Sequence, residues 1–451
     1  MSQSYKILLV SSRAPEHFAG LGADMMKSLT QVGHQVDYLT RYDSKDYNVI
    51  SLAKEHKKTL LQKTKKTFSF LKDVIPVSWK KSILYTVKDN YIRGNGSAIV
   101  SPNESEPMFS NAEIVSKIKK QYDFVIVFVW QDMITSVSLE AIFQKLKVPI
   151  LLYAGDMLPF TGGCYYFGDC RRFTMGCGCC PILGSNNAND LTHTNYLLKK
   201  SVYSSVPCVF MGNTYLNEFA SQSMLFPESQ IALTALVLNE KEFIPQNVNE
   251  SRRYLKIPRT KNFIIFSRFA GIDYAVKGYS YMVEAVNHFA ESISSDQLGN
   301  VLLILAGEKD KDFEKSFKVD VLNLGMLSKE DLIKAYSAST IFLSSSIDEA
   351  GPSMLNQSMM CGTPVVSFDV GAAKDMTENG VTGYKARFKD VHDLSRGVGM
   401  IHSLLETDYE VMRQNCRKKA LEMNSYKAFS DRTIATYEAL NKKFNSNSLI
   451  F

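Results

Sequence analysis

Long apolar runs are missing from this chain. None of its 451 residues lies in a stretch that reaches the roughly 18 apolar positions of a membrane span. The longest runs, FVIVFVW (Phe124 to Trp130) and VLLILA (Val301 to Ala306), have the length of buried strands. Cysteine is scarce, at eight residues, and five of these fall between Cys164 and Cys180, which excludes a disulfide-stapled scaffold. Histidine occurs seven times and no two stand at metal-ligand spacing; His17, beside the first glycine loop, is the one that reads as a site candidate. Hydrophobic residues at 45% and charged residues at 22% exclude a disordered or collagen-like chain, and the length suits two domains.

Charge of one sign is lacking except in one window. Lys54 to Lys81 holds nine lysines against Glu55 and Asp73, while the whole chain carries +6, so the remainder is near neutral. A local basic face suits an anionic membrane surface better than nucleic acid, which needs a broader footprint. A solvated amphipathic face with no partner stays open. The opening residues, MSQSYKILLVSS, have an apolar core too short for a signal segment and no small-residue cleavage pattern. The expectation is a cytoplasmic protein, peripheral on the inner face of the cytoplasmic membrane through Lys54–Lys81.

Short apolar runs alternate with helical periodicity almost throughout, which predicts βαβ units and parallel sheets. Lys6 to Ser11 reads as a strand, AGLGAD (Ala19 to Asp24) as a Gly turn, and Gly33-His34 as the end of the following helix. Residues 45–115 interrupt the alternation. Strands are predicted at Gln35–Thr40, Phe124–Val129, Pro149–Tyr153, Pro207–Met211 and Ile231–Leu238, then a polar hinge near Asn239 to Asn249. A second unit follows, with strands at Asn262–Phe266, Val301–Ala306, Val321–Leu324, Ile341–Ser345 and Pro364–Phe368. The expected division is a first domain over 1–240, with a basic insertion at about 45–115 and a Cys-rich loop at 160–181, completed by a C-terminal helix within 425–451. The second domain covers 245–424. Two similar halves joined by a hinge predict a ligand cleft between them.

The most informative segment is SSSIDEAGPSMLNQSMMCGTPVVSFDVGAAKDM, Ser344 to Met376. A strand ends at Ser345 and a loop carries Asp348, Glu349, Gly351 and Pro352; a helix then starts near Ser353 with Pro pre-organising its first turn. The backbone N–H groups of Ser353, Met354 and Leu355 would face a diphosphate at the strand's carboxyl end. Glu349 cannot bind phosphate, so it would accept hydrogen bonds from sugar hydroxyls. Upstream, Arg268 closes a strand and Lys277-Gly278 opens a helix, two cations able to hold a diphosphate and stabilise the charge that develops as it leaves.

This segment resembles the donor-site motif of family-4 retaining glycosyltransferases: Glu349, then a position eight residues on, then Cys361, Gly362, Thr363, Pro364, Val365 and Val366. The second acidic position holds Gln357, where the family Glu contacts ribose; Gln keeps one acceptor and loses the charge. The basic pair of Phe266 to Val286 and the runs LILAGEKD and LNLGMLSKEDLIKAYSAST extend the resemblance over most of the second half. The first half is similar more loosely, through Gly20 and Gly22. YAGDMLPFTGGCYYFGDCRRFTMGCGCCP (Tyr153 to Pro181) resembles a bacterial exopolysaccharide and lipopolysaccharide subgroup, with Gly155-Asp156 where that subgroup has His-Asp. Asp156 would orient an acceptor hydroxyl or cap its own loop. Cys164, Cys170, Cys177 and Cys180 match the subgroup spacing; four such thiolates suit a structural zinc, with packing thiols or a redox role as alternatives.

The resemblance implies a GT-B fold, two Rossmann-like doubly wound parallel-sheet domains facing across a cleft. It implies a retaining, hexosyltransferase-type enzyme of bacterial surface polysaccharide biosynthesis, with no cofactor required for catalysis. The implied partners are a UDP- or GDP-sugar donor and a glycan or polyprenyl-diphosphate-linked acceptor. Glu349, Arg268, Lys277 and Asp156 would be catalytic; Gly20, Gly22, Arg268, Lys277, Glu349, Gly351, Pro352, Ser353, Met354, Leu355 and Gln357 would bind donor. An inactive nucleotide-sugar-binding scaffold, a GT-B-fold nucleotide-sugar epimerase or hydrolase, and a membrane-surface or nucleic-acid-binding interaction protein are the competing classes.

Overall fold

Strands form where β-branched and aromatic runs can be buried on both faces, and helices where apolar residues recur along one face. The computed structural model describes residues 3–17, 20–43, 48–52, 92–93, 99–100, 103–269, 275–351 and 353–447. Lys54–Lys81 and Pro352 lie outside the described residues. The chain divides into two units: Met1–Phe210 with Ser221–Gln230 and Tyr437–Phe451, and Met211–Ala220 with Ile231–Thr436.

In the first unit, β1 (Lys6–Val10), β2 (Gln35–Thr40), β3 (Val49–Ser51), β4 (Phe124–Val127), β5 (Ile150–Tyr153) and β6 (Cys208–Gly212) stand in the order β3-β2-β1-β4-β5-β6. β1 pairs in parallel with both β2 and β4, so the strand order reverses between β1 and β4. Ile7 to Val10, Phe124 to Val127 and Ile150 to Leu152 are buried, the continuous apolar signature of a sheet covered on both faces. Helix α1 (Leu21–Gln31) begins after Gly20 and ends as expected at Gly33, whose φ of 98° only glycine adopts readily. The closing helix, Tyr426–Asn447, contributes Tyr437, stacked on Phe124 with ring centroids 4.3 Å apart.

In the second unit, β7 (Phe263–Phe269), β8 (Val301–Gly307), β9 (Asp320–Asn323), β10 (Ile341–Ser344), β11 (Val365–Phe368) and β12 (Gly383–Ala386) form a six-stranded sheet in the order β9-β8-β7-β10-β11-β12. Every pairing is parallel. Helix α2 (Tyr279–Ser292) places Met282, Val286 and Phe289 in a core shared with Phe263, Ile265 and Ile304. The fold class is as read from the sequence: two α/β units with doubly wound parallel sheets. Two predicted strands end early, and β12 was not predicted. Ile231–Leu238 is strand only over Ile231–Leu233, β4 stops at Val127 before Val129 turns to a φ of 43°, and β12, short and carrying Gly383 and Lys385, has no apolar run to announce it.

Candidate functional site

Ligands of open α/β sheets sit at the carboxyl ends of strands where the order reverses. In the second unit that point lies between β7 and β10. Arg268 is the exposed residue near the end of β7, whose other residues are buried. Lys277 closes a turn, Ala275–Lys277, just before α2. The loop after β10 carries Ser346 and Glu349, then leads to helix α3 (Ser353–Met360). Leu355, Met359 and Met360 anchor α3 in the core, which leaves its first turn at the end of the sheet.

Glu349 and Lys277 are directly paired. The Lys277 Nζ donates to Glu349 Oε1, with the lysine side chain 31% exposed and the carboxylate 7%. Ser346 Oγ donates to the same carboxylate oxygen at 3.1 Å. The Lys277 turn is stitched to the β10 loop by Ser345 Oγ to Lys277 O at 2.8 Å and Ile347 N to Val276 O at 2.8 Å. This close approach requires glycine at 278: φ is 61°, and a Cβ there would sit 2.1 Å from Ser345 O. Gly278→Ala is therefore expected to push the Lys277 turn off the Glu349 loop and to lower stability by about 1–3 kcal/mol, read by urea unfolding. A change within 0.5 kcal/mol would contradict that contact. Gly371 plays the matching part opposite, since a Cβ at its φ of 58° would meet Glu349 O at 2.7 Å.

Gln357, on α3, is buried, and its Oε1 accepts a hydrogen bond from Tyr336 Oη at 3.1 Å. Burial pushes the Tyr336 phenol far above the usual tyrosine range, while the Arg268 charge acts on it in the other direction. Arg268, Tyr336 and Gln357 thus form one neighbourhood. The Gln357 carbonyl keeps a second lone pair and its amide N–H₂ two donors. Gly351 is exposed, Ser353 and Met354 are half-buried, and Ala350 O is held by the Asn213 side chain. Neither Tyr336 nor Ser346 was singled out from sequence, because both sit in runs that read as ordinary helix and strand end.

The remaining candidates belong to the first unit. Gly20 has a φ of 87° at the start of α1, and a Cβ on Gly22 would lie 2.6 Å from Tyr38 Oη. Asp156 follows β5; Oδ1 accepts Leu158 N at 2.9 Å and Oδ2 accepts from Gln131 Nε2. Burial raises its carboxyl from 3.8 to about 6, against the Leu158 and Gln131 hydrogen bonds and the Lys199 charge. A carboxyl raised in the fold is penalised where it is ionised: the penalty is absent below the unfolded value and complete above the folded one. Asp156→Asn is expected to stabilise the protein at about pH 8, with the gain gone near pH 4. Thermal melts at both values check this; an equal effect at both would contradict it.

Lys199 holds the loop between Asp156 and Cys164. It is wholly buried, donates to Leu158 O at 2.7 Å and Thr161 O at 2.9 Å, and pairs with Glu104 at 3.3 Å. Cys164 and Cys180 are buried and Cys170 and Cys177 half-buried, all free thiols. Each of the other three acts electrostatically on Cys164, and burial raises Cys177 to about 11. Cys177 Sγ accepts Gly162 N at 3.3 Å. Among the described residues, no three His, Cys, Asp or Glu side chains are arranged to hold a metal ion. The four cysteines share one region of the first unit as free thiols. His17 packs edge-on to Tyr42, with centroids 4.9 Å apart. His288 and His392, apart in sequence, pack at a tilt of 39° with ring centroids 4.5 Å apart. No described helix is long and apolar enough to cross a membrane.

A doubly wound sheet with two cations and a carboxylate at its reversal point places these charged groups where ligands of open α/β sheets sit. The comparisons narrow this. Residues 247–423 match the family described as glycosyl transferases group 1, so the second unit carries a domain of that type. Over nearly the whole chain the fold is similar to solved GT-B structures. HepE of Anabaena in complex with UDP and glucose has a TM-score of 0.58 at 14% identity, covering 96% of this chain and 100% of that one. Sucrose-phosphate synthase from Thermosynechococcus elongatus has 0.60 at 15%, covering 97% and 99%. A glycosyltransferase from Rickettsia africae has 0.60 at 14%, covering 97% and 99%. No curated protein matches the chain.

Proposed function

We propose that this protein is a retaining, hexosyltransferase-type glycosyltransferase that moves a sugar from a nucleotide-diphosphate-sugar to a glycan or lipid-linked acceptor in bacterial surface polysaccharide synthesis. The observation that carries the reading is the Lys277–Glu349 pair at the reversal point of the second sheet, where Arg268 is the exposed residue near the end of β7. Arg268 and Lys277 take the donor diphosphate, joined by the N–H groups of Ser353, Met354 and Leu355 and the backbone of Gly351 and Pro352. Glu349 holds the sugar hydroxyls, and Gln357 donates its amide to the ribose. Gly20 and Gly22 border the reacting sugar, and Asp156 orients the acceptor hydroxyl. As the sugar–phosphate bond breaks, negative charge grows on the departing diphosphate, and fixed cations stabilise it without reorganising.

UDP-sugars are the favoured donors, supported by the UDP and glucose bound to HepE; GDP-sugars stay in the same test. Catalysis needs no metal in this scheme. Work at the cytoplasmic face of the membrane, with the Lys54–Lys81 face on anionic lipid, completes the reading; Lys63, Lys65 and Lys66 replaced by Glu should release the protein from anionic vesicles, and unchanged binding would sink that part. The function itself is tested by incubating the protein with UDP- and GDP-sugars and lipid-linked acceptors. Transfer is the expected result. Donor binding without turnover would favour a scaffold, and donor conversion without acceptor an epimerase or hydrolase.

A further inference from the structure

The turn after β4 is strained and clamped at both ends. Val129 takes a φ of 43° and Asp132 a φ of 61°. A β-branched residue resists that region, so Val129 must be held there by its surroundings. Its carbonyl accepts from Ser12 N at 2.9 Å, Ser12 Oγ at 2.8 Å and Ser11 Oγ at 3.4 Å. At the other end the Asp132 carbonyl accepts from Arg41 Nη1 at 3.0 Å. Trp130 and Gln131 stand between these anchors, beside the point where the order of the first sheet reverses between β1 and β4.

β5 is the parallel neighbour of β4, and the loop leaving it meets this turn: a Cβ on Gly155 would lie 3.8 Å from Val129 Cγ2. Gln131 Nε2 donates to Asp156 Oδ2, and Leu158 N donates to Oδ1 at 2.9 Å. Each carboxylate oxygen has one such donor and keeps a lone pair. Gln131 Oε1 is buried with no partner among the described residues, and so is the indole Nε1 of Trp130, a residue 3% exposed. Buried polar atoms are nearly always paired, so two orphans in one strained turn mark a place that a ligand or water completes. Burial raises the Asp156 carboxyl to about 6, so it is ionised at neutral pH. The charge acting on it is Lys199, itself paired with Glu104 at 3.3 Å, while the Asp132 carboxylate faces Arg41 at 3.8 Å. The Asp156 carboxylate and the Gln131 carbonyl both accept hydrogen bonds. Hydroxyl groups satisfy such a pair, whereas a phosphate, which offers acceptors and negative charge, is repelled by it.

We infer that Gln131 and Asp156 together bind two hydroxyls of a sugar acceptor, with Gln131 also aiming the carboxylate, so that the transferred sugar goes to a sugar hydroxyl and not to the phosphate oxygen of a lipid carrier. The inference rests on the glycosyltransferase reading for the word acceptor, but not for the binding of hydroxyls. Its test is NMR titration of the full chain with the methyl glycosides of glucose, galactose, mannose and N-acetylglucosamine, and with geranylgeranyl phosphate in detergent micelles. At least one glycoside is expected to bind. Gln131→Met, which keeps the length and loses both polar atoms, should weaken it by roughly tenfold. Binding to the parent should fall away below about pH 6 as Asp156 takes a proton. The Gln131 hydrogen bond holds that carboxyl down, so in Gln131→Met the fall should move to higher pH, and in Asp156→Asn it should vanish. Geranylgeranyl phosphate should behave alike with the parent and Gln131→Met. No glycoside binding, an affinity and pH profile unchanged in Gln131→Met, or phosphate binding weakened by Gln131→Met overturns the inference. So does glycoside binding that is lost in Glu349→Gln and kept in Gln131→Met, which places the sugar in the donor site. Glycoside binding that depends on Gln131 in a protein without transferase activity leaves this hydroxyl site standing and removes only the acceptor role.

Discussion

Lys277→Met is expected to lower the rate of sugar transfer by roughly 10²–10³-fold, the usual loss when one charge-stabilising donor is removed from a transition state. The lysine reaches the site from a turn fixed by two hydrogen bonds to the β10 loop, and its charge is oriented by Glu349. Stability should change little, because the lysine is partly exposed and the turn is held by its backbone. Glu349→Gln gives the complementary case. It keeps a side-chain oxygen for Ser346 yet loses the ion pair, so Lys277 is no longer aimed. Both variants should lose turnover by comparable factors, and Arg268→Met should weaken donor binding as well. Steady-state kinetics with the donor found by screening would check this. A rate within twofold of the parent in Lys277→Met would remove the lysine from the mechanism.

The second large effect is on stability. Lys199→Met is expected to cost about 3–5 kcal/mol, because it strands the buried Glu104 carboxylate and two backbone carbonyls in one step. Glu104 also accepts Ser136 N at 2.8 Å, and its own N–H donates to Asn195, whose amide reaches Gly162 O at 3.1 Å. The ion pair is thus the centre of a network that holds the Leu158 to Gly163 loop. Lys199→Met combined with Glu104→Leu should recover much of the loss, since no uncompensated charge remains. Urea titrations of the two variants distinguish the cases. A single-variant loss below 1 kcal/mol would mean that Glu104 finds another partner or water.

The two sheets were legible because parallel strands buried on both faces leave short apolar runs that little else imitates. Arg268, Lys277 and Glu349 were legible as individual residues because glycines and a helix start mark the turns around them. What brings them together was not. Gly278 is demanded by Ser345 O, a contact across strands that no spacing encodes. Tyr336 reads as one helical aromatic among many until the fold sets it on Gln357. Lys199 and Glu104 read as a charged helix face and a polar loop, and only tertiary packing makes them a buried pair. The cysteine spacing suggested a tetrahedral set, and the burial of Cys164 and Cys180 was not readable from that spacing.

Thermal melting of the protein with UDP, GDP, ADP and their common sugar conjugates tests the central claim most directly. A ligand at about 100 times its dissociation constant adds roughly 2.7 kcal/mol to the folded state. One nucleotide series should raise the melting temperature, and Arg268→Ala and Glu349→Ala should abolish the shift. No shift with any nucleotide, or a shift unchanged in both variants, would contradict a donor site at the reversal point of the second sheet.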